Sequence, residues 1–153
     1  MATHTQAAFL PLAGSRIALG LFFFSSGFNK LFLPASQRLM LDTMIEAGIP
    51  APEIMAVFVA AVEAIVGLLL AIGLVTRLGA LPLLAICLVA LATVGLSQIP
   101  PNLGPLTWFS WLMYLPETPY IFMLLLILTL GAGPLSADAA LARRWPINPG
   151  PRA

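Results

Sequence analysis

The chain has 153 residues, of which 60% are hydrophobic and only 8% are charged, and its mean hydropathy is +1.00. A soluble domain of this length has too small a core to bury so much apolar surface. The sequence therefore predicts an integral membrane protein in contact with a lipid bilayer. The net charge of +1, with no run of lysines and arginines, argues against nucleic acid as a partner.

The chain holds one cysteine, Cys87, and one histidine, His4. A single cysteine can form neither an internal disulfide nor a Cys-x-x-Cys redox pair. A single histidine in a terminal tail excludes a bis-histidine haem and argues against a zinc or iron site. No catalytic triad or nucleotide motif is present either. We therefore expect no catalytic residue, no metal and no required cofactor, and no redox or hydrolytic activity from this chain alone.

Four apolar runs predict an all-α fold, an integral membrane four-helix bundle. The runs are continuous and do not alternate, which favours helices over barrel strands. A span needs about 20 mostly apolar residues, and the fourth run is short. It either starts within the membrane interface or draws on the aromatic stretch before it. The predicted spans are residues 12–33, 53–74, 78–98 and 119–133 of a single domain, 1–153.

The distribution of charges predicts the orientation of the bundle. If the N-terminus is in the cytoplasm, the only lysine and arginine residues on the outer side are Lys30 and Arg38. The cytoplasmic side, including the C-terminal segment 134–153, then holds five arginines, and this bias predicts that both termini are cytoplasmic. The five are Arg16, Arg77, Arg143, Arg144 and Arg152.

The first outer connection, residues 34–52, is long for a turn and interleaves apolar with charged residues. The spacing predicts a short amphipathic helix on the membrane surface, ended by Gly48 and Pro50. The alternative interpretation is a flap that covers a cavity. The helix on the membrane surface is the preferred interpretation.

The second outer connection, before the fourth span, is rich in aromatic residues. Trp108, Trp111 and Tyr114 all lie in this predicted loop. Tryptophan and tyrosine concentrate at the boundary between membrane and water, so an interfacial belt is the simpler interpretation. An aromatic lid over a lipid-soluble ligand is the alternative.

Two opposite charges fall inside the first two spans. Lys30 is fourteen residues after Arg16, and Glu63 is fourteen residues before Arg77. If the arginines mark one boundary as structural charges, both inner charges lie about 21 Å from it. Each charge also lies on a stripe of small residues, the composition that lets membrane helices approach closely. We therefore expect the two stripes to pack together and Lys30 to meet Glu63.

The expected pair has two interpretations. It is either an ion pair that fixes the helix register or a site that handles protons or orients a ligand. Ser25, Ser26 and Asn29 are expected to extend the site, and Glu117 at the start of the fourth span is expected to be its outer gate. A carboxylate that loses its partner in hydrocarbon takes up a proton, which makes proton transfer chemically reasonable.

Four segments of the chain, taken in order, carry a family resemblance. They are Arg16–Gly20, Ser26–Leu31, Glu63–Leu78 and the stretch from Tyr120 to Ala139. Together they resemble the DoxX family of small bacterial membrane proteins, and the likeness covers residues 12–141. The chain departs from the family pattern at Val66, where a second glycine is usual, and in its short fourth span. The positions carried over as family-pattern residues are Arg16, Lys30, Glu63 and Arg77.

The resemblance implies a four-span bundle in the bacterial inner membrane. Relatives include the DoxD subunit of thiosulfate:quinone oxidoreductase and the methylamine-utilisation protein MauE. It thus implies a membrane subunit or accessory protein of a redox or respiratory complex, which docks a redox partner protein and shelters a quinone-like ligand between helices. One alternative is a membrane assembly factor or chaperone-like protein without catalytic activity. A small transporter or proton path is less favoured, because no inverted repeat is visible. A homo-oligomer is compatible with the sequence.

Overall fold

The computed structural model describes residues 9–144, which are helical without any strand. The predicted all-α fold is therefore confirmed for this part of the chain. The tails 1–8 and 145–153, with His4 and Arg152, lie outside the described residues. The α-helices of the described part are α1 Leu10–Phe32, α2 Pro34–Glu46, α3 Pro52–Ile72, α4 Thr76–Ala90, α5 Pro105–Tyr114, α6 Glu117–Leu130 and α7 Ala137–Arg144.

Three or four segments are suited to cross a membrane. Helices α1 and α3 are long and apolar enough, and so is α4 together with its irregular continuation to Gln98. Helices α5 and α6 meet at a bend of 70° and give a fourth crossing if the pair counts as one span. The prediction of a helical membrane bundle thus agrees with the structure.

Helices α1 and α3 form the closest contact in the bundle because glycines lie between them. A Cβ added to Gly20 would overlap the backbone of Gly67, and one added to Gly27 would overlap the backbone of Ala64. Small residues allow this approach, which larger side chains would prevent. The expected packing of the two small-residue stripes is confirmed.

Helices α4 and α6 complete the core on the other side. A short turn joins α3 to α4, and in it Gly73 and Val75 take left-handed backbone angles with φ of 74° and 52°. The turn makes α3 and α4 antiparallel neighbours. The central cluster of buried residues is Leu19, Phe23, Leu70, Ala80, Leu83, Cys87, Leu124 and Ile127.

The helix boundaries differ from the predicted spans mainly where the chain turns. Helix α3 ends at Ile72 because Gly73 leaves the right-handed helical region, whereas the predicted span continued to residue 74. Helix α4 begins at Thr76, two residues early. Helix α6 ends at Leu130, before the left-handed Gly131, so residues 131–133 do not extend the fourth span as predicted.

The aromatic stretch that was predicted to be a loop is helix α5. It begins at Pro105, a residue that suits the first position of a helix. Trp108, Trp111 and Tyr114 lie on this helix with exposed fractions of 43%, 41% and 82%. The short α6 reaches the length of a span only together with this stretch, which was one of the two possibilities left open by the sequence.

The bundle has two ends, which we name after two residues of α1. The Arg16 end contains the turn between α3 and α4 and the short helix α7. The Lys30 end contains α2, α5 and the start of α6. Which end faces the cytoplasm stays a prediction from the charges.

Candidate functional site

Lys30 of α1 and Glu63 of α3 form an ion pair at the Lys30 end. The Lys30 Nζ lies 2.9 Å from Oε1 and 2.7 Å from Oε2 of Glu63. The Glu63 side chain is 6% exposed and the Lys30 side chain 25%. Gly27, one turn before Lys30, permits this closeness, because a Cβ there would also collide with Cβ of Glu63. The structure thus brings together the two charges that the sequence placed at one level.

The neighbouring polar residues of α1 differ in their relation to this pair. Ser26 Oγ donates a hydrogen bond of 3.2 Å to Oε2 of Glu63, and Asn29 lines the cavity beside the pair. Ser25 is exposed and does not line the cavity. The expectation that Ser25 extends the site is wrong, because it lies on another face of the helix.

A cavity of about 630 Å³ lies beside the ion pair, between α1, α2, α3 and α4. Ligand pockets of about 300–1,000 Å³ are typical for small molecules, and most combine apolar walls with a few polar groups. Most of this wall is apolar. Its polar members are Ser26, Asn29, Lys30, Ser36, Thr43, Glu63, Thr93 and Glu117.

Helix α2 forms one side of the cavity. Met40, Thr43 and Met44 contribute to the lining, and Gln37 Nε2 donates a hydrogen bond to the carbonyl of Leu31 at the end of α1. The helix predicted in the first connection is therefore present as Pro34–Glu46. Its contribution to the cavity agrees with the flap interpretation, whereas its position on the membrane surface stays a prediction.

Glu117, the first residue of α6, reaches the same cavity. Its Oε2 is buried and accepts no hydrogen bond from any residue in the range 9–144. A π-helical turn, Leu91–Gly95, follows α4 at this point. A Cβ added to Gly95 would lie 3.4 Å from Oε2 of Glu117. Sequence reasoning missed this turn and the cavity-lining Thr93 within it, because a widened helical turn has no sequence signature.

The aromatic residues of α5 are not part of the cavity. Trp108, Trp111 and Tyr114 are all exposed and do not line it. The structure therefore does not form the aromatic lid that was considered for this segment.

Arg16 is a buried residue with structural contacts at the opposite end. Its exposed fraction is 1%, and Nη1 donates to the carbonyls of Leu70 at 2.7 Å and Ala71 at 3.0 Å. Nη2 donates to the carbonyl of Leu135 at 2.8 Å. The last carbonyls of a helix lack intrahelical donors and carry partial negative charge. Arg16 thus binds the end of α3 from inside the bundle. Its expected location at the cytoplasmic boundary of the membrane stays a prediction.

Arg77 differs from Arg16 in its exposure. It lies near the start of α4, is exposed, and its Nη2 donates a hydrogen bond of 3.1 Å to the carbonyl of Thr129 on α6. The two arginines that the sequence treated as equivalent boundary charges therefore have different surroundings.

Asp138 attaches α7 to the start of α4. Its carboxylate accepts hydrogen bonds from the backbone N–H groups of Val75 at 2.8 Å and Thr76 at 3.1 Å. Its own N–H donates to the carbonyl of Gly73 at 2.9 Å. Burial acts to raise the pKa of Asp138, but the hydrogen bonds from Thr76 and Val75, with the nearby Arg16, hold the pKa below its usual value. Asp138 acts as an N-cap for α4 although it is distant in sequence.

With this geometry described, the chain can be compared with known proteins. The family model named DoxX matches residues 12–96, a range that contains Arg16, Lys30, Glu63 and Arg77. The chain belongs to the DoxX family. The DoxX match ends before α5 and α6, so it is shorter than the predicted likeness over residues 12–141.

A relative supports the same assignment. The uncharacterized membrane protein Rv3486 of Mycobacterium tuberculosis (strain ATCC 25618 / H37Rv) is 32% identical over 133 residues, which cover 84% of this chain and 80% of that protein. No solved structure gives a significant match. The DoxX chain is thus a membrane protein, as its apolar helices also indicate.

Proposed function

We propose that this DoxX protein is a membrane subunit of a redox complex and holds a quinone-like lipid beside Lys30 and Glu63. The observation that carries the proposal is the cavity of about 630 Å³, whose apolar wall contains this ion pair. A quinone has an apolar chain and a ring whose carbonyl oxygens accept hydrogen bonds. The cavity offers apolar contacts for the ring, and the Lys30 ammonium is a donor for one carbonyl.

The proposal divides the chemistry between this chain and a partner. Reduction of a quinone to a quinol takes up two electrons and two protons. A partner protein with a flavin, haem or iron–sulfur centre supplies the two electrons. The Lys30–Glu63 pair passes the two protons from water to the quinone. When Lys30 turns towards a ligand carbonyl, the Glu63 carboxylate loses its lysine partner and becomes available to relay a proton to the ligand.

The proposed location follows from the charge bias and the DoxX resemblance. We place the protein in the bacterial inner membrane with both termini in the cytoplasm. The Lys30 end, with the cavity and α2, then lies in the outer half of the bilayer.

Thermal unfolding in mild detergent tests the proposed ligand. A short-chain quinone should raise the unfolding temperature of the wild type in a concentration-dependent way, because a ligand that binds the folded state stabilises it. Glu63→Gln should lose this protection. Glu53→Gln is the matched control, since Glu53 is an exposed glutamate of the same helix and does not line the cavity. Absence of protection in all three proteins would remove the quinone function.

A second candidate function is favoured by helix α5. This helix carries no charged residue and has no buried residue, so its side chains are free to contact another apolar surface. An assembly factor that binds the membrane segment of a client protein would use such a helix. In a deletion strain, client abundance should then fall and be restored by Glu63→Gln but not by Trp108→Ser/Trp111→Ser. Restoration by both variants would argue against this function.

A further inference from the structure

Glu117 is a charged residue of the cavity that the ion pair does not explain. It comes from α6, whereas Lys30 and Glu63 come from α1 and α3. Its Oε2 is buried without a hydrogen-bond donor among the described residues. A buried acceptor that remains unpaired is costly, and more so when it is ionised. A hydrogen-bond donor that enters the cavity and contacts this oxygen would therefore remove the cost of leaving it unpaired.

The position of Glu117 at a helix start does not account for its burial. An acidic residue is stabilised near a helix N-terminus by the helix dipole. Glu53 has the same advantage in the first turn of α3, yet its side chain is exposed. Glu117 instead points Oε2 inward, next to the π-helical turn at Gly95.

The cavity wall has an excess of acceptors. Its ionisable residues are one lysine and two glutamates, Lys30, Glu63 and Glu117. The lysine contacts both carboxylate oxygens of Glu63. Among residues 9–144, Oε2 of Glu117 is then a buried acceptor that no donor contacts. An anionic head group would be repelled by this arrangement, whereas a hydroxyl group would satisfy Oε2 of Glu117.

We infer that Glu117 is a specificity residue that selects the reduced, hydroxyl-bearing form of the ligand. The inference rests on the proposed function and names the class of head group, a quinol or another dihydroxylated ring with an apolar chain. One ring hydroxyl donates to Oε2 of Glu117, and the other reaches the Lys30–Glu63 pair. A quinone carbonyl is itself an acceptor and offers nothing to a carboxylate.

This preference has a consequence for the direction of electron flow. A site that binds the reduced form tenfold more tightly raises the reduction potential of the bound two-electron couple by about 30 mV. The site then favours transfer of electrons from the partner protein to the bound quinone. The class of reaction that supplies this site is therefore an oxidation carried out by the partner.

Binding measured without oxygen tests the inference. The probes are a short-chain hydroquinone, its dimethyl ether, which accepts but cannot donate hydrogen bonds, and the corresponding quinone. The wild type should bind the hydroquinone about tenfold more tightly than either the ether or the quinone, a factor that one charge-assisted hydrogen bond provides. Glu117→Gln replaces the charged acceptor by a neutral amide oxygen and should lower this ratio about threefold. Glu53→Gln, an acidic residue in the first turn of another membrane helix, should leave it unchanged.

The possible results separate this inference from the proposed function. Equal binding of hydroquinone and ether by the wild type would overturn the inference and leave quinone binding intact. A preference of unchanged size in a folded Glu117→Gln protein would also overturn it. If the wild type binds none of the three probes, the proposed function fails, and the inference fails with it. If Glu117→Gln does not fold, equal binding by the wild type still overturns the inference, and Glu117→Met is the second variant, expected to lower the ratio in the same direction.

Discussion

The two ends of the bundle hold their buried charges in opposite ways. At the Arg16 end, charged side chains bind backbone groups: Arg16 binds three carbonyls, and Asp138 binds two N–H groups. At the Lys30 end, Lys30 and Glu63 bind each other beside a cavity. Backbone partners are fixed by the helices, whereas a pair of side chains can exchange partners with a ligand. The comparison favours a structural role for the charges at the first end and agrees with the binding role that we propose for the second.

The largest expected effect concerns the contact between α1 and α3 on which both ends depend. Gly20→Val should abolish folding or cost more than about 4 kcal/mol, because its side chain would overlap the backbone of Gly67 and Ala71. Gly14→Ala in the same helix is the control, since a Cβ there meets nothing within 4 Å. It should be neutral or stabilising by up to about 1 kcal/mol. Size-exclusion profiles and thermal unfolding in detergent measure both, and a folded Gly20→Val protein of wild-type stability would contradict the close approach.

The next effect separates the two arginines that the sequence treated alike. Arg16→Met should destabilise the protein by about 3 kcal/mol, because three carbonyls lose a charged donor inside the bundle. Arg77→Met is the matched variant, and it loses one exposed hydrogen bond, with an expected cost below about 1 kcal/mol. Thermal unfolding of the two variants compares them directly. Equal losses would mean that burial of Arg16 does not distinguish the Arg16 end.

These variants show which features the sequence could predict. Helix periodicity is regular over a continuous span, so the small-residue stripes and the meeting of Lys30 with Glu63 follow from spacing alone. The partners of Arg16 could not be predicted, because its long side chain reaches inward to carbonyls, one of them at Leu135, over a hundred residues later. Residue spacing within one helix does not reveal hydrogen-bond partners in distant segments of the chain.

Other features of the structure could also not be predicted, because they are not visible in the hydropathy of the sequence. Two such features are the π-helical turn Leu91–Gly95 and the helical state of Pro105–Tyr114. Hydropathy reports how apolar a segment is and not which of its turns widen or bend. The cavity is formed by four helices at once, so the sequence indicated a site near Glu63 without its shape.

A smaller effect tests the Asp138 contact at the Arg16 end through pH. The pKa of Asp138 is held below its unfolded value, so its stabilising contribution is present above about pH 4 and is lost as pH falls through the folded-state pKa. Asp138→Asn should cost about 1 kcal/mol at pH 7, as expected for a weakened cap, and the difference from the wild type should shrink below pH 4. Thermal unfolding across pH measures this. Asp42→Asn, at an exposed position of α2, is the control, and its stability difference from the wild type should not change with pH. If the stability difference of Asp138→Asn is also constant with pH, the charged cap is ruled out.

The smallest expected effect on stability comes from the ion pair at the Lys30 end, and it gives the clearest contrast with the Arg16 end. Replacing both members of the ion pair, as in Lys30→Met/Glu63→Met, should change the free energy of unfolding by less than about 1 kcal/mol, because apolar residues of similar volume can replace a buried pair at little cost. Lys30→Met alone should cost more, since it leaves Glu63 without its counterion. The double variant should nevertheless lose quinone-dependent protection, because the proposed donor to the ligand carbonyl and its acidic partner are both gone. If the double variant instead unfolds as readily as Arg16→Met, the ion pair stabilises the fold in the same way as the arginine, and the difference between the two ends disappears.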